Sequence, residues 1–119
     1  MLTSSYKLWV ENGGYISAEN TIFEYTSSAG VYLRSGSTVN AVYSFNNCTF
    51  RNGIAGGNMM SVYNDQTFTV NDAVFPSNTW GSAYNVFKNT NAGNVYFENA
   101  TGGFDGSDYE FDPYKLKCE

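Results

Sequence analysis

The sequence predicts an all-β chain wound as a right-handed parallel β-helix of about four to five coils with about three strands per coil. Three observations carry this expectation. Residues 16–23, 43–50, 68–75 and 95–102 repeat one pattern at spacings of 27, 25 and 27 residues, and self-similarity at such a period marks a solenoid. Asn20, Asn47, Asp72 and Asn99 hold the same place in each repeat, as residues that tolerate a left-handed corner would. Aromatic residues make up 18% of the chain and charged residues 14%, a balance that favours strands and turns over helices.

The first strand of each coil is expected at residues 6–10, 31–35, 60–64 and 84–88, the last three after loops containing Gly30, Gly56-Gly57 and Gly81. Alternation turns Leu8, Leu33, Val62 and Val86 inward, and the pairs Lys7/Trp9, Tyr32/Arg34, Ser61/Tyr63 and Asn85/Phe87 outward. In the next strand Ile16, Tyr43, Phe68 and Val95 form one inward column and Ala18, Phe45, Val70 and Phe97 another, with Ser17, Ser44, Thr69 and Tyr96 outward between them. The corner column Asn20, Asn47, Asp72 and Asn99 follows, then Thr21, Cys48, Ala73 and Ala100, then Phe23, Phe50 and Phe75. A flat antiparallel meander would also alternate, but it needs no constant period or recurring corner residue. At ~4.8 Å per layer the stack is only about 20 Å tall, and its ends expose unpaired strand edges. The whole chain, 1–119, reads as one domain: coils over 1–102 and a C-terminal cap over 103–119, where Pro113 and aromatic residues break the repeat. No comparable cap precedes Tyr6, so upstream coils or a protein partner are expected over the N-terminal face.

Composition narrows the function classes. A net charge of -5 with six Lys and Arg argues against a nucleic-acid partner. Histidine is absent and the two cysteines, Cys48 and Cys118, stand far apart; this removes His-dependent nucleophilic catalysis and zinc-type ligand spacing. No apolar run is long enough to span a bilayer, and residues 1–5 lack the features of a secretory signal. Extracellular or cell-surface placement would therefore make this chain a mature form or a piece.

The motifs Cys48-Thr49-Phe50-Arg51-Asn52-Gly53 leading to Gly56-Gly57, and Ala73-Val74-Phe75-Pro76-Ser77-Asn78, are similar to repeats of polymorphic outer-membrane adhesins. Taken with the period, the chain resembles the parallel β-helix of the pectin-lyase-like superfamily. Its ending, from Gly102 through Tyr109-Glu110-Phe111-Asp112-Pro113-Tyr114, resembles the last segment of pectate-lyase-like proteins secreted by Bacteroidetes. The resemblance implies a bacterial secreted β-helix and admits lyases, hydrolases, adhesins and scaffolds. Lyases of this kind pair a basic residue with calcium held by clustered carboxylates. Here Lys7, Arg34, Arg51 and Lys88 are the basic residues of the repeat body, and Asp65 and Asp72 fall at corners. No catalytic motif carries over, and calcium enters only under the lyase alternative.

The strongest candidate site is the outward face of the first sheet, where Lys7, Trp9, Tyr32, Arg34, Tyr63, Asn85 and Phe87 recur from coil to coil. Aromatic faces suit the C–H side of sugars, while Arg and Asn suit hydroxyls and carboxylates; the same residues could equally serve strand pairing alone. The expected function is a recognition or scaffold module contacting a glycan and needing no cofactor or metal. One alternative is a polysaccharide lyase fragment with Arg34 as catalytic residue, and another an adhesin-like solenoid binding protein through its open end. Asp105, Asp108, Glu110 and Asp112 read as a solvated acidic tail, Asn47 and Asn99 as structural despite their glycosylation-type context, and Cys48 and Met59-Met60 as core.

Overall fold

The computed structural model describes residues 6–76, 84–89, 92–102, 110–111 and 116–118, with backbone alone for the last two segments. All of its regular structure is strand. The elements are β1 (Tyr6–Val10), β2 (Tyr15–Glu19), β3 (Ile22–Glu24), β4 (Thr26–Leu33), β5 (Thr38–Asn46), β6 (Thr49–Arg51) and β7 (Asn58–Val62). They continue with β8 (Phe68–Asn71), β9 (Val74–Phe75), β10 (Tyr84–Lys88), β11 (Val95–Glu98), β12 (Thr101–Gly102), β13 (Glu110–Phe111) and β14 (Leu116–Cys118). Every third strand returns to the same sheet: β1-β4-β7-β10-β13 on one side, β3-β6-β9-β12 on another, and β2-β5 and β8-β11-β14 on the remaining one. All pairings are parallel. The chain is therefore a parallel β-solenoid, as expected, of about three turns, slightly fewer than the four to five coils expected. Among the described residues β1 to β12 fall into rungs of three strands each, and β13 and β14 extend the stack beyond them.

The interior is an apolar column made by the inward residue of each strand. Val31, Leu33, Met60, Val62, Val70, Val86, Val95 and Phe97 are fully buried. Phe23, Phe50 and Phe75 stack through the centre of one side, with centroids 5.3 and 5.1 Å apart and ring planes within 15°. Such stacks add to burial because identical side chains in consecutive rungs meet at the layer spacing.

The corner column takes the left-handed backbone at every rung: φ is 52° at Asn20, 53° at Asn47, 61° at Asp72 and 59° at Asn99. The Asn47 side-chain amide donates to the Asn20 side-chain carbonyl at 2.8 Å, and the backbone N–H groups of Asn20, Asn47 and Asp72 donate to Asn46, Asn71 and Glu98 carbonyls at 2.8–2.9 Å. A second corner, at Tyr25 and Asn52, also has positive φ, 58° and 53°. Tyr25 is not a turn-forming residue, so composition does not announce that corner.

Several placements differ from the sequence expectation. Tyr43 is 46% exposed instead of inward; Val39 takes the inward place opposite Ile16, because β5 carries register shifts against β2. Asn40 stabilises the resulting bulge, its side-chain carbonyl accepting from the N–H groups of Val42 and Tyr43 at 2.8 Å. Ser44, expected outward, is buried and its hydroxyl donates to the Thr69 carbonyl. In the first sheet the inward columns are Leu8–Val31–Met60–Val86 and Val10–Leu33–Val62–Lys88. Thus Lys88 ends an otherwise apolar column, fully buried, its ammonium donating to the carbonyls of Asn64 (3.2 Å) and Ala92 (3.4 Å). The cap expected over 103–119 lies largely outside the described residues; within it β13 and β14 continue the parallel stack.

Candidate functional site

On the outward face of the five-stranded sheet, Trp9, Tyr32, Ser61 and Phe87 are direct neighbours in consecutive strands. Ser61 has no ring and is buried, its hydroxyl donating to the Ala29 carbonyl at 2.7 Å. The aromatic ladder therefore passes obliquely through Tyr63: Trp9–Tyr32 at 5.6 Å, Tyr32–Tyr63 at 5.2 Å and Tyr63–Phe87 at 5.8 Å between centroids. Neighbouring rings pack against one another, and Trp9, at the end of the ladder, is 37% exposed. Burial and then the Tyr32 phenol raise the Tyr63 pKa above its ordinary value.

Two cations lie against the first rung of this ladder. The Lys7 ammonium sits 4.6 Å from the Trp9 ring centroid, and the Arg34 guanidinium carbon 5.1 and 5.4 Å from those of Trp9 and Tyr32. Arg34 also reaches the Glu11 carboxylate, 3.5 Å away, with both side chains substantially exposed. Glu11, Asn12, Tyr32, Arg34, Ser35 and Tyr63 line a cleft of about 190 Å³.

The cleft is shaped by two stacked turns. The Gly13 N–H donates to the Gly36 carbonyl at 3.0 Å, Arg34 N–H to the Val10 carbonyl at 2.9 Å and Tyr63 N–H to the Leu33 carbonyl at 2.8 Å. Ser37 fastens the second turn, its hydroxyl donating to the Arg34 carbonyl at 2.6 Å. Gly36 has φ +84°, and a Cβ there would lie 2.1 Å from the Asn12 side-chain oxygen. A glycine is needed for Asn12 to close that side of the cleft.

Of the residues expected on this face, Lys7, Trp9, Tyr32, Arg34, Tyr63 and Phe87 come together. Asn85 does not join them at the surface. It is 2% exposed, so its amide is enclosed by its surroundings rather than offered to a ligand. Glu11, Asn12 and Ser35 complete the cleft and lie in turns, where strand periodicity gives no signal. Arg34 presents its guanidinium to a carboxylate and two aromatic rings. Its acidic neighbour is Glu11; Asp65 and Asp72 are exposed elsewhere. Among the described residues no three Asp, Glu, Cys or His side chains gather as a metal-binding group, and no helix is long and apolar enough to cross a membrane.

Comparison of the chain with protein families, curated proteins and solved structures finds no match. The parallel β-solenoid itself rests on the strand pairing described above.

Proposed function

We propose that this solenoid is a secreted or cell-surface recognition module that contacts a glycan along the Trp9–Phe87 ladder, with the Arg34 cleft as its point of selection. The observation that carries this reading is the cleft, where a guanidinium, a carboxylate, an amide and a hydroxyl converge beside two aromatic rims. That combination suits a polyhydroxylated ligand: ring edges and faces take apolar C–H surface, and the polar groups fix orientation through hydrogen bonds. Neighbouring rings lie 5.2–5.8 Å apart, so successive units of an extended chain would meet successive rings. The pectin-lyase-like likeness belongs to this proposal as a statement of ancestry; placement outside a bacterial cell comes with it.

A glycan array tests the proposal. Binding of the native chain to at least one plant, algal or host polysaccharide is expected, with at least tenfold weakening in Tyr63→Ala and Arg34→Met. Silence across all such polysaccharides would remove the glycan reading. Unsaturated uronide absorbance on incubation with polyuronates and calcium would replace it with the lyase alternative.

A further inference from the structure

The cleft lies beside the aromatic ladder, displaced toward the margin of the sheet. Trp9, Tyr32, Ser61 and Phe87 share one register column of the five-stranded sheet, and Glu11, Arg34 and Tyr63 each follow a member of that column by two residues. Backbone hydrogen bonds carry the pairing on to these positions, the Arg34 N–H donating to the Val10 carbonyl and the Tyr63 N–H to the Leu33 carbonyl. Residues two apart on a strand share a face at a spacing of about 6.5 Å, so Glu11, Arg34 and Tyr63 form a second outward column. Asn12 and Ser35, in the turns that follow, complete the cleft on the side away from the ladder.

Two side chains belong to both columns. The Tyr63 ring packs between Tyr32 and Phe87, where Ser61 supplies no ring, and it also lines the cleft. The Arg34 guanidinium lies against Trp9 and Tyr32 and lines the cleft as well. Ladder and cleft are therefore adjoining surfaces of different kinds. The ladder is an extended apolar track, whereas the cleft, at about 190 Å³, is smaller than the ~300–1,000 Å³ of sites that enclose a drug-sized ligand. Such a volume takes one small polar unit and excludes a run of polymer. Glu11 and Arg34 are its charged lining residues and oppose each other at 3.5 Å, so they leave the cleft without net charge. A sugar hydroxyl can donate to the carboxylate and accept from the guanidinium, while an anionic sugar would meet the Glu11 carboxylate at a cost.

Building on the glycan reading above, we propose that the ligand is a branched glycan whose main chain lies on the ladder and whose neutral, single-sugar branch enters the cleft. The lateral step from one column to the next is about 6.5 Å, short enough for a branch of one unit to cross. A linear chain on the same rings would leave the hydroxyl-matching groups of Glu11, Asn12 and Ser35 without a part in binding. A branch uses both surfaces at once, the rings through C–H contact and the cleft through hydrogen bonds that fix orientation. Selection thus falls on the branch, and the ladder supplies contact that depends little on the identity of the main chain.

The test is calorimetric titration of the full chain with galactomannan and xyloglucan oligosaccharides, each against its unbranched counterpart, linear mannan or cello-oligosaccharide. Any other glycan that the array returns is compared with its debranched form in the same way. Native protein should bind a branched ligand at least about tenfold more tightly than the unbranched one of the same main chain. Ser35 is exposed and lies in a turn, so Ser35→Tyr should fill the cleft with circular dichroism unchanged. That variant should lose the preference by weakening the branched ligand alone, whereas Tyr63→Ala, which touches both surfaces, should weaken branched and unbranched ligands together. Equal affinity for the two forms, an array whose hits are all unbranched, or a preference that survives Ser35→Tyr would each overturn the proposal and leave the glycan reading standing. Failure to bind any glycan would remove that reading and the branch with it.

Discussion

Replacing Phe50 tests whether the aromatic stack is the main support of the solenoid. Phe50 is 1% exposed and lies between Phe23 and Phe75, nearly parallel to both. Removing the ring costs about 2–3 kcal/mol in transfer alone, and the cavity raises Phe→Ala changes to about 3–5 kcal/mol. Two stacking contacts of ~0.5–1.5 kcal/mol each beyond burial place Phe50→Ala near the top of that range, about 5 kcal/mol. Phe50→Leu keeps most of the apolar volume and forfeits the stacking, so about 1–2 kcal/mol is expected. Against a domain stability of ~5–15 kcal/mol, the alanine variant is marginal and the leucine variant stays folded. Urea denaturation followed by Trp fluorescence and circular dichroism measures both. A Phe50→Ala loss under about 1.5 kcal/mol, or equal losses in the two variants, would refute the assignment of stability to burial plus stacking.

The glycines differ in what an added side chain would meet. Gly30→Ala would set a Cβ 2.1 Å from the Met59 carbonyl oxygen at a φ of +66°; a loss of at least about 3 kcal/mol is expected. Gly13→Ala, at φ +83° with nothing within 4 Å, should cost only about 1–2 kcal/mol, and thermal melts compare the two. Gly36→Ala meets the Asn12 side chain instead of backbone, so it should deform the cleft and lower glycan affinity while the fold persists, as read by titration and circular dichroism. Burial raises the Cys48 pKa, with a smaller contribution from Glu19, against lowering by the Thr21 hydrogen bond. The unfolded thiol therefore ionises first, near 9.0, and native stability falls as pH rises from there through the folded value. Cys48→Ala should make that alkaline decline shallower in denaturation curves measured across the range.

The legibility of the chain varied with how strictly each position repeats. The corner residues Asn20, Asn47, Asp72 and Asn99 were readable because one backbone geometry admits few residue types, and their φ values agree from rung to rung. Tyr43 departs from the repeat because a bulge in β5 shifts the register, and an insertion compensated within one repeat leaves the period almost unchanged. Lys88 aligned with Leu33 and Val62 by position, but its burial depends on carbonyls supplied by Asn64 and Ala92. For the candidate site, strand alternation located six of the face residues, whereas Glu11, Asn12 and Ser35 sit in turns whose side chains obey no alternation.

By itself the sequence determined the period, the corner residues and the alternation, and with them a parallel β-solenoid with an aromatic outer column. Those follow from local rules: a strand repeats every two residues and a left-handed corner accepts few side chains. Tertiary structure decided what depends on neighbours in other rungs. The oblique route of the ladder through Tyr63, the closure of the cleft by Asn12 against Gly36 and the enclosure of Asn85 and Lys88 all arise from register between strands about 25 residues apart. Register is set by packing across the stack, where one bulge redirects every side chain beyond it.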